Sequence, residues 1–340
     1  MNDNPWKGTN VLITGVCGTV GKELLRQISK LEPESVIGLD NNESELFFLM
    51  EEYKTNPIIS LSICDIREKS HLLNFFDSVD IVLHVAALKH VIINEKNPGE
   101  AILTNIIGTQ NVIEAAKATG VGRVIYTSSD KAVNPTNVMG TSKLMGERLI
   151  TAANTSVKGG KTVFASTRFG NVLGSNGSVI PLFKRQIEQG GPVTLTDPDM
   201  SRFIMTLEEA VSLVMESVFL AKGGEVFVTK MPTIRIEDLA ISMIRHLAQE
   251  KSIEIKIIGA KPGEKLYEEL MNEEEVRRTS ELERYFVVKP AFKVGGLMLD
   301  TLSSYPGFVS DTIDKVYRSD KEEFMKEAEL LDYLVTNKII

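Results

Sequence analysis

The sequence predicts an α/β protein with a doubly wound parallel sheet and a smaller C-terminal lobe. Short apolar runs rich in Val and Ile alternate with stretches of helical periodicity, beginning with VLIT (11–14) and KELLRQISKL (22–31). Strands and helices that alternate at this spacing form right-handed βαβ units, whose parallel sheet is covered on both faces. After about residue 172 the alternation ends, and turn signals, short helices and short strands follow.

Each further predicted strand is a short run of β-branched and aliphatic residues. In chain order they are SVIGLD (35–40), IISLSICD (58–65), DIVLHVAA (80–87), RVIYTSS (123–129) and KTVFASTRFG (161–170). The carboxyl ends of the strands form the ligand-binding edge of an open α/β sheet. We therefore expect chemistry-bearing residues directly after these strands.

Helical periodicity is clearest in four segments, after which comes an acidic and basic stretch at 264–283. The four segments are residues 102–120, 138–155, 206–224 and 236–251. Residues 1–172 are predicted to form the sheet domain, to which later strands return. Residues 173–340 are predicted to form mainly the second lobe.

Composition and charge exclude several classes of protein. The chain has 340 residues, of which 43% are hydrophobic and 25% charged, which is typical of a globular fold. A net charge of -8 gives no general attraction to nucleic acid or to anionic membranes. Cys17, Cys64 and four scattered histidines match neither a disulfide framework nor a metal signature. No signal peptide or membrane-spanning run is evident, so we expect a cytoplasmic protein.

A glycine loop follows the first predicted strand and opens the first predicted helix. TGVCGTVG places Gly15, Gly18 and Gly21 at intervals of three residues. Glycines here allow a tight turn and close approach of the backbone to a pyrophosphate, which the helix N-terminus then binds. Asp40 ends the second strand, where its carboxylate can accept both ribose hydroxyls of an adenosine. Together these features predict a Rossmann dinucleotide site.

The residues after Asp40 indicate which dinucleotide binds. They are Asn41, Asn42, Glu43 and Ser44, with no Arg or Lys to pair with a 2′-phosphate. NAD is therefore predicted in preference to NADP.

The segment TSSDKAVNPTNVMGTSK (127–143) follows the fifth predicted strand. Lys143 lies one helical turn beyond Met139, so the two side chains share a face, and a lysine there can hold the nicotinamide ribose. Short-chain dehydrogenases normally have tyrosine at the position of Met139, whose thioether has no proton to donate. The Asp130–Lys131 pair could be a solvated turn, but its place at the strand end favours a catalytic role.

Five long segments resemble the bacterial UDP-N-acetylglucosamine 4,6-dehydratases of the extended short-chain dehydrogenase/reductase superfamily. They are AALKHV (86–91), the 127–143 segment, RFGNVLGSNGSVIPLF (168–183), TLTDPDMSRFIMTLEEA (194–210) and KPGEKLYEEL (261–270). Some members of that family have tyrosine at the position of Met139, and others have methionine. LDNNESELFF (39–48) is most similar to the branch that feeds legionaminic acid and bacillosamine synthesis and retains the C5 configuration.

The resemblance implies a reaction in which NAD oxidises C4, water leaves across C5 and C6, and the hydride returns to C6. NAD would stay tightly bound and be regenerated in each turnover. Lys131 would take the C5 proton, for which burial and the nicotinium charge should lower its pKa, and Asp130 would protonate the departing hydroxyl. Ser129, or a water relayed to Asp130, would take the C4 hydroxyl proton with support from Lys143. Met139 would fill apolar space beside the sugar.

The resemblance also implies contacts for each ligand. The expected cofactor residues are Gly15, Cys17, Gly18, Thr19, Val20, Gly21, Asp40, Asp65, Ile66, Ala86, Ala87 and Lys143. For Asp65 and Ile66 an ordinary turn is an equally good interpretation. The expected contacts to UDP-N-acetylglucosamine are Lys89, Asn171, Val179, Thr194, Arg202 and Glu264. Surface charge is the competing interpretation for Lys89 and Glu264. A homo-oligomer formed through helices of the sheet domain is also implied.

Three alternatives remain open at this point. The enzyme could invert the configuration at C5, which the sequence does not decide. A UDP-sugar 4-epimerase or reductase would share the fold, although it would need no base at C5 and Met139 would be unusual. A non-catalytic NAD-binding sensor would not need Lys131 beside Asp130.

Overall fold

The computed structural model describes residues 4–155, 162–175, 177–248, 252–259, 263–292 and 305–340. The strands in this part of the chain are β1 (Asn10–Thr14), β2 (Ser35–Asp40), β3 (Ile59–Ile63), β4 (Ile81–His84), β5 (Arg123–Ser129), β6 (Val163–Phe169), β7 (Asn171–Val172), β8 (Val193–Leu195), β9 (Ser201–Met205), β10 (Val226–Thr229), β11 (Thr233–Arg235), β12 (Ile255–Ile257), β13 (Thr279–Leu282), β14 (Tyr285–Val288) and β15 (Phe308–Ser310).

The helices in the same part of the chain are α1 (Thr19–Ile28), α2 (Glu43–Tyr53), α3 (Lys69–Leu73), α4 (Val91–Lys96), α5 (Pro98–Ala101), α6 (Thr109–Thr119), α7 (Val138–Ala153), α8 (Val179–Glu188), α9 (Leu207–Leu220), α10 (Ile236–Leu247), α11 (Glu273–Val276) and α12 (Glu327–Thr336). A π-helical segment, Ile102–Gly108, leads into α6, and a short 3₁₀ turn, Asp130–Ala132, follows β5.

A ten-stranded sheet forms the body of the molecule, in the order β15-β13-β14-β10-β6-β5-β4-β1-β2-β3. The strands β10, β6, β5, β4, β1, β2 and β3 are parallel to one another, whereas β14, β13 and β15 pair antiparallel at one side. The predicted doubly wound α/β fold is therefore confirmed. Four strands from the C-terminal half extend this sheet.

Side-chain alternation along the strands divides the core between the two faces of the sheet. Val11 and Ile13 lie in one cluster with Leu24 of α1 and Leu213 of α9. Leu12, between them, lies in the other cluster with residues of α6 and α7. This is the pattern expected of a strand buried on both faces.

A third core belongs to the C-terminal lobe. Phe183 of α8, Leu239 of α10 and Leu330 of α12 are buried together, beside the small sheets β11-β9-β7 and β12-β8. The lobe thus covers the carboxyl end of the main sheet with its own packed unit. The assignment of residues 173–340 to substrate binding stays a prediction.

The helix predicted at 102–120 contains an irregularity with a structural purpose. Its first half is π-helical, and Asn105 of that half is buried. The Asn105 side chain binds both the N–H and the carbonyl of Leu88 (2.8 and 3.0 Å) and donates to Ser142 Oγ (2.8 Å). The loop after β4 is therefore fastened to α7. A π-helical turn commonly accompanies a functional site.

Candidate active site

The glycine loop is too crowded for larger residues. Gly15 has a φ of 73°, and a Cβ atom there would lie 2.7 Å from the Ala86 Cα. A Cβ atom on Gly21 would overlap the Gly15 carbonyl oxygen. The loop therefore folds tightly against the start of α1, with the helix N-terminus directed at the place where a pyrophosphate would bind.

Asp40 is fixed by the loop that it faces. Its two carboxylate oxygens accept from the Cys17 N–H (2.9 Å) and the Asn42 N–H (3.0 Å). A carboxylate has further acceptor positions, so Asp40 can still receive the hydroxyls of a ribose. The glycine loop, Asp40 and Lys143 together fit a dinucleotide that carries a ribose at each end.

Arg67 occupies the adenosine end of the site and was not predicted from the sequence. Its guanidinium binds Asp65 with two nitrogens (2.8 and 2.6 Å) and Glu100 with the third (2.9 Å). These hydrogen bonds from Arg67 lower the pKa of Asp65, against the opposing effect of burial. In the sequence, the only sign of the Asp65–Arg67 pair is that the two residues are two positions apart.

One continuous cleft of about 1120 Å³ joins the glycine loop to the C-terminal lobe. All but two of the predicted site residues line it. The lining residues that were predicted are Gly15, Cys17, Gly18, Thr19, Val20, Asp40, Asp65, Ile66, Ala86, Ala87, Lys89, Ser129, Lys131, Met139, Lys143, Asn171, Val179, Thr194, Arg202 and Glu264. Gly21 packs beneath the loop, and Asp130 is fully buried.

The turn after β5 brings three of the predicted catalytic groups together. Asp130 Oδ1 accepts from the Ser129 hydroxyl (2.7 Å) and from Lys131 Nζ (3.0 Å). Ser129 Oγ in turn accepts from the Lys131 backbone N–H (3.2 Å). Ser129 and Lys131 line the cleft. Asp130 is buried and is connected to the cleft by its hydrogen bonds to these two residues. The predicted juxtaposition is present, with Asp130 deeper than its sequence position suggests.

Glu268 is a further acidic group at this position that was not predicted from the sequence. Its side chain is 2% exposed, and its Oε1 lies 3.3 Å from Lys131 Nζ and 3.8 Å from Arg202 Nε. Burial raises the pKa of Glu268, against the lowering effects of Lys131, Arg202 and Lys265. Nothing in the acidic run KLYEEL distinguishes Glu268 from Glu269, so only the fold could reveal this contact.

The expected lowering of the Lys131 pKa is wrong for the protein without substrate. Burial does lower the pKa of Lys131, but the adjacent carboxylates of Asp130 and Glu268 raise it by more, and the net direction is upward. Two carboxylates within 3.3 Å stabilise the ammonium form. Lys131 therefore starts as an ammonium group.

Lys143, Met139 and the residues beneath them form the end of the cleft that is predicted to hold the nicotinamide. Lys143 Nζ donates to the Thr127 carbonyl (2.9 Å) and lies 4.8 Å from the centre of the Tyr126 ring. Burial lowers the pKa of Lys143 to about 8. Met139 is 3% exposed, which agrees with apolar filling, and Tyr126 lies in the core.

His84 forms a buried network under the same region. Its Nδ1 lies 2.7 Å from Thr14 Oγ1, and its Nε2 lies 3.0 Å from Thr109 Oγ1. Because Thr109 donates its hydroxyl proton to the Asn105 carbonyl, it accepts from Nε2, so Nδ1 accepts from Thr14. Burial lowers the pKa of His84 to about 3, with a smaller contribution from Lys143, and the ring stays neutral.

The predicted substrate residues line the cleft but differ in how far their polar groups are already hydrogen-bonded within the protein. Gln186 holds Thr194 through two hydrogen bonds. The Arg202 guanidinium donates to the carbonyls of Ser201, Lys265 and Leu266, so the fork expected to bind phosphate is already used by the backbone. Burial lowers the pKa of Lys89. The contacts of these residues with UDP stay predictions.

A buried ion cluster fixes the helix that carries Met139 and Lys143. Arg168 of β6 forms two hydrogen bonds to Glu147 of α7 (2.8 and 2.7 Å) and two to Glu275 of α11 (2.8 and 2.7 Å). All three side chains are at most 3% exposed.

The described residues contain no group of His, Cys, Asp and Glu that could hold a metal ion. No helix among them is both long and apolar enough to cross a membrane.

Comparisons with known proteins give concordant results. A family described as polysaccharide biosynthesis protein matches residues 11–290. The chain is 51% identical over 292 residues to an uncharacterized membrane protein of Methanocaldococcus jannaschii, covering 84% of this chain and 87% of that protein. It is 36% identical over 336 residues to a UDP-N-acetylglucosamine 4,6-dehydratase (inverting) of Campylobacter jejuni, covering 97% and 98%. It is 39% identical over 285 residues to a UDP-glucose 4-epimerase of Rickettsia rickettsii, covering 81% of each.

Among solved structures, the X-ray structure of Pen from Bacillus thuringiensis matches almost the whole chain. The TM-score is 0.91 at 42% identity, and the match covers 99% of both chains. The two lobes of this chain therefore have the same arrangement as those of a solved relative.

Proposed function

The chain belongs to the polysaccharide biosynthesis protein family, and we propose that it is a UDP-N-acetylglucosamine 4,6-dehydratase of the extended short-chain dehydrogenase/reductase superfamily. One observation carries the proposal. Lys131 lines the same cleft as the glycine loop and lies within 3.0 Å of Asp130, so a base and an acid are available beside the nicotinamide end. Dehydration needs both groups, because a C5 proton and a C6 hydroxyl must leave together.

NAD is the cofactor that the residues favour. When bound, NAD would accept hydride from C4 of the sugar and return it to C6. The glycine loop and the α1 N-terminus would bind the pyrophosphate, Asp40 the adenosine ribose, and Lys143 the nicotinamide ribose. Tight retention and preference over NADP are part of the proposal.

The protein's own groups divide the proton transfers. Lys131 takes the proton from C5, which a ketone at C4 makes acidic. Asp130 supplies the proton with which the C6 hydroxyl leaves as water. Ser129 takes the C4 hydroxyl proton as it gives its own proton to Asp130, or a water relays the C4 proton to Asp130, and this is the proton that Asp130 supplies at C6. Lys143 stabilises negative charge nearby, and Met139 excludes water without handling a proton.

The product would be UDP-2-acetamido-2,6-dideoxy-4-keto-hexose, a precursor of bacterial surface sugars. Retention of the C5 configuration and a role in legionaminic acid or bacillosamine synthesis stay predictions, and the Campylobacter jejuni relative is named as an inverting enzyme. A cytoplasmic location and assembly as a homo-oligomer are likewise proposed.

A UDP-sugar 4-epimerase is the second candidate, favoured by the similarity to the Rickettsia rickettsii protein. Epimerisation exchanges hydride at C4 alone and needs no base at C5. The placement of Lys131 between two carboxylates has no use in that reaction. The dehydratase therefore accounts for more of the site.

Isotopic labelling distinguishes these functions. With UDP-N-acetylglucosamine carrying deuterium at C4, we expect the label on C6 of the product and no stoichiometric release of NADH. In heavy water, solvent deuterium should enter at C5. A 4-epimerase would return the label to C4 and leave C5 untouched, whereas a dehydrogenase would release labelled NADH. NMR of the product reads the label and the C5 configuration together, and label found only at C4 would refute the proposal.

A further inference from the structure

Glu268 is a carboxylate of the cleft that contacts Lys131 and that the proton transfers described above do not use. It is 2% exposed yet lines the cleft beside Lys131. Its backbone is fixed by Ser319, whose Oγ accepts from the Glu268 N–H (2.9 Å) and whose N–H donates to the Glu268 carbonyl (2.9 Å). A buried carboxylate fixed in this manner is part of the site and not a solvated surface charge.

The two oxygens of Glu268 have different surroundings. Oε1 lies 3.3 Å from Lys131 Nζ and 3.8 Å from Arg202 Nε. Oε2 is buried and has no hydrogen-bond partner in the described part of the chain. A buried carboxylate oxygen without a donor is unfavourable as an anion, and protonation relieves the cost.

Lys131 has a proton to lose before it can act. Asp130 and Glu268 hold it as an ammonium group, whereas removal of the C5 proton needs the neutral amine. Release of that proton to bulk water is hindered once a sugar nucleotide fills the cleft. Asp130 Oδ1 already accepts from both Ser129 and Lys131, and Oδ2 is buried without a partner, as Glu268 Oε2 is. Asp130 is however assigned to the proton that passes from the C4 hydroxyl to the C6 hydroxyl. An internal acceptor is therefore needed.

We propose that Glu268 is a positioning residue for Lys131, which holds Nζ against Asp130 and accepts its proton when substrate binds. This inference rests on the proposed dehydratase function. An N–H bond of Lys131 breaks and an O–H bond forms on Glu268, so ammonium and carboxylate become amine and carboxylic acid. The amine then takes the C5 proton. When C5 is reprotonated from Lys131, Glu268 returns its proton to the amine, and the charges are restored.

The surrounding charges are consistent with this exchange. Arg202 and Lys265 act on Glu268 together with Lys131 and lower its pKa, whereas Asp130, which contacts the same Lys131 Nζ, raises it. Before transfer, Asp130, Lys131, Glu268 and Arg202 form two pairs of opposite charge. Neutralising Lys131 and Glu268 together leaves the net charge of this group unchanged. An internal transfer is therefore less costly than removing a proton to solvent.

The Glu268→Gln variant tests the proposal, because glutamine keeps the size of the side chain but cannot accept the proton. The assay is exchange of the C5 hydrogen of the 4-keto-6-deoxy product in heavy water, which needs the base but no hydride transfer. At neutral pH we expect Glu268→Gln to lose roughly 10²-fold or more in exchange rate. Its rate should rise about tenfold per pH unit as solvent takes over the proton, whereas wild-type exchange stays nearly flat. Glu268→Asp should keep the flat profile.

Two controls accompany the variant. Glu269→Gln changes the neighbouring carboxylate, whose Oε2 binds Asn134 (3.0 Å), and should exchange like the wild type. Lys131→Ala should show no exchange above background at any pH. The proposal would be overturned if Glu268→Gln exchanged the C5 hydrogen at the wild-type rate with the wild-type pH profile. It would also be overturned if the pH profile of this variant were only shifted to lower pH. Normal C5 exchange with lost elimination would also overturn it, since Glu268 would then act at C6.

Infrared difference spectroscopy gives a readout that does not depend on turnover. The ligand is the 4-keto-6-deoxy product, which has no C4 hydroxyl proton to pass to Asp130. Its binding should produce the C=O band of a protonated carboxylic acid, which Glu268→Gln should lack and Glu269→Gln should keep. A band that persists in Glu268→Gln would assign the proton to another group and contradict the inference. If wild-type protein neither exchanges C5 nor forms a 4-keto-6-deoxy sugar, the dehydratase function itself fails, which is a distinct result.

Discussion

At the scale of a single residue, Asp40 is the group that we expect to select between NAD and NADP. Its carboxylate is fixed by the N–H groups of Cys17 and Asn42, so it cannot turn away from a 2′-phosphate. The nearby Arg67 is held by Asp65 and Glu100. A 2′-phosphate would therefore meet a fixed negative charge, and binding of NADP should be disfavoured.

Reconstitution measures this preference. Protein stripped of its dinucleotide should recover more activity with NAD than with NADP at equal concentration. Asp40→Asn removes the repulsion without changing the side-chain size and should narrow the difference. Better recovery with NADP by the unchanged protein would show that Arg67 leaves its carboxylate partners to bind the phosphate, and that the NAD prediction is wrong.

Single residues also mark the limit of what the sequence can predict at this site. Asp130 and Lys131 follow a strand and Lys143 lies in the second turn of a helix, where local pattern fixes their place along the chain. Glu268 meets Lys131 from a segment 137 positions later, through backbone contacts with Ser319 that no local pattern encodes. The sequence shows the burial and the nicotinium charge that lower the pKa of Lys131, but it does not show the contact with Glu268 that helps to raise it.

Arg168 organises the site at the scale of secondary-structure elements. It joins β6 to α7 and α11 by ion pairs buried on all sides. Removal of the guanidinium would leave the buried carboxylate of Glu147 without its cation and Glu275 with only the more distant Arg278 (3.7 Å). Because burial makes such charges costly, Arg168→Met should lower the free energy of unfolding by about 3–5 kcal/mol.

Urea denaturation of matched variants checks this expectation. Arg284→Met removes an ion pair with Glu216 from an arginine whose side chain is 62% exposed, and should cost less than about 1 kcal/mol. Combining Arg168→Met with Glu147→Gln and Glu275→Gln should recover part of the loss, since the buried charges are gone. Equal stability of Arg168→Met and Arg284→Met would contradict a buried ion cluster that anchors α7.

The regular elements were predictable because each repeats a short-range pattern. Strands β2 and β5 have the predicted bounds, since Ser35–Asp40 and Arg123–Ser129 are continuous runs between polar segments. The π-helical start of the 102–120 helix was not predictable, because it depends on Asn105 reaching Leu88 and Ser142. The segment 264–283 contains one helix, α11, and one strand, β13. Other parts of its backbone are held by hydrogen bonds to residues 310–319, which local sequence does not indicate.

At the scale of the whole molecule, the cleft exists because the two lobes share a sheet. Strands β10, β14, β13 and β15 extend the sheet domain, so the C-terminal lobe is built onto the carboxyl edge where the cofactor residues lie. A cleft formed in this manner brings Gly15 and Glu264 into one continuous space. The sequence indicated both ends, but their continuity depends on how the lobe packs.

The outer surface of the sheet domain carries an apolar face that suits a second copy of the chain. Ile102 (50%), Leu103 (43%) and Ile107 (43%) of the π-helical segment and Met145 (46%) of α7 are exposed, and these two elements are neighbours. Burial of such side chains gains roughly 1.5–3 kcal/mol each when it is complete. This face accordingly supports the proposed homo-oligomer, formed through helices of the sheet domain.

Charge placed on this face should separate the subunits. Ile107→Glu combined with Met145→Glu would bury carboxylates at the interface, which is strongly unfavourable, so light scattering after gel filtration should show a monomer. Phe48→Glu alters another exposed apolar residue, on α2 (66% exposed), and should leave the assembly intact. Dissociation by Phe48→Glu alone would place the interface at α2. A wild-type chain that is monomeric at all concentrations would refute the oligomer, while the cleft, which one chain completes, would still bind its ligands.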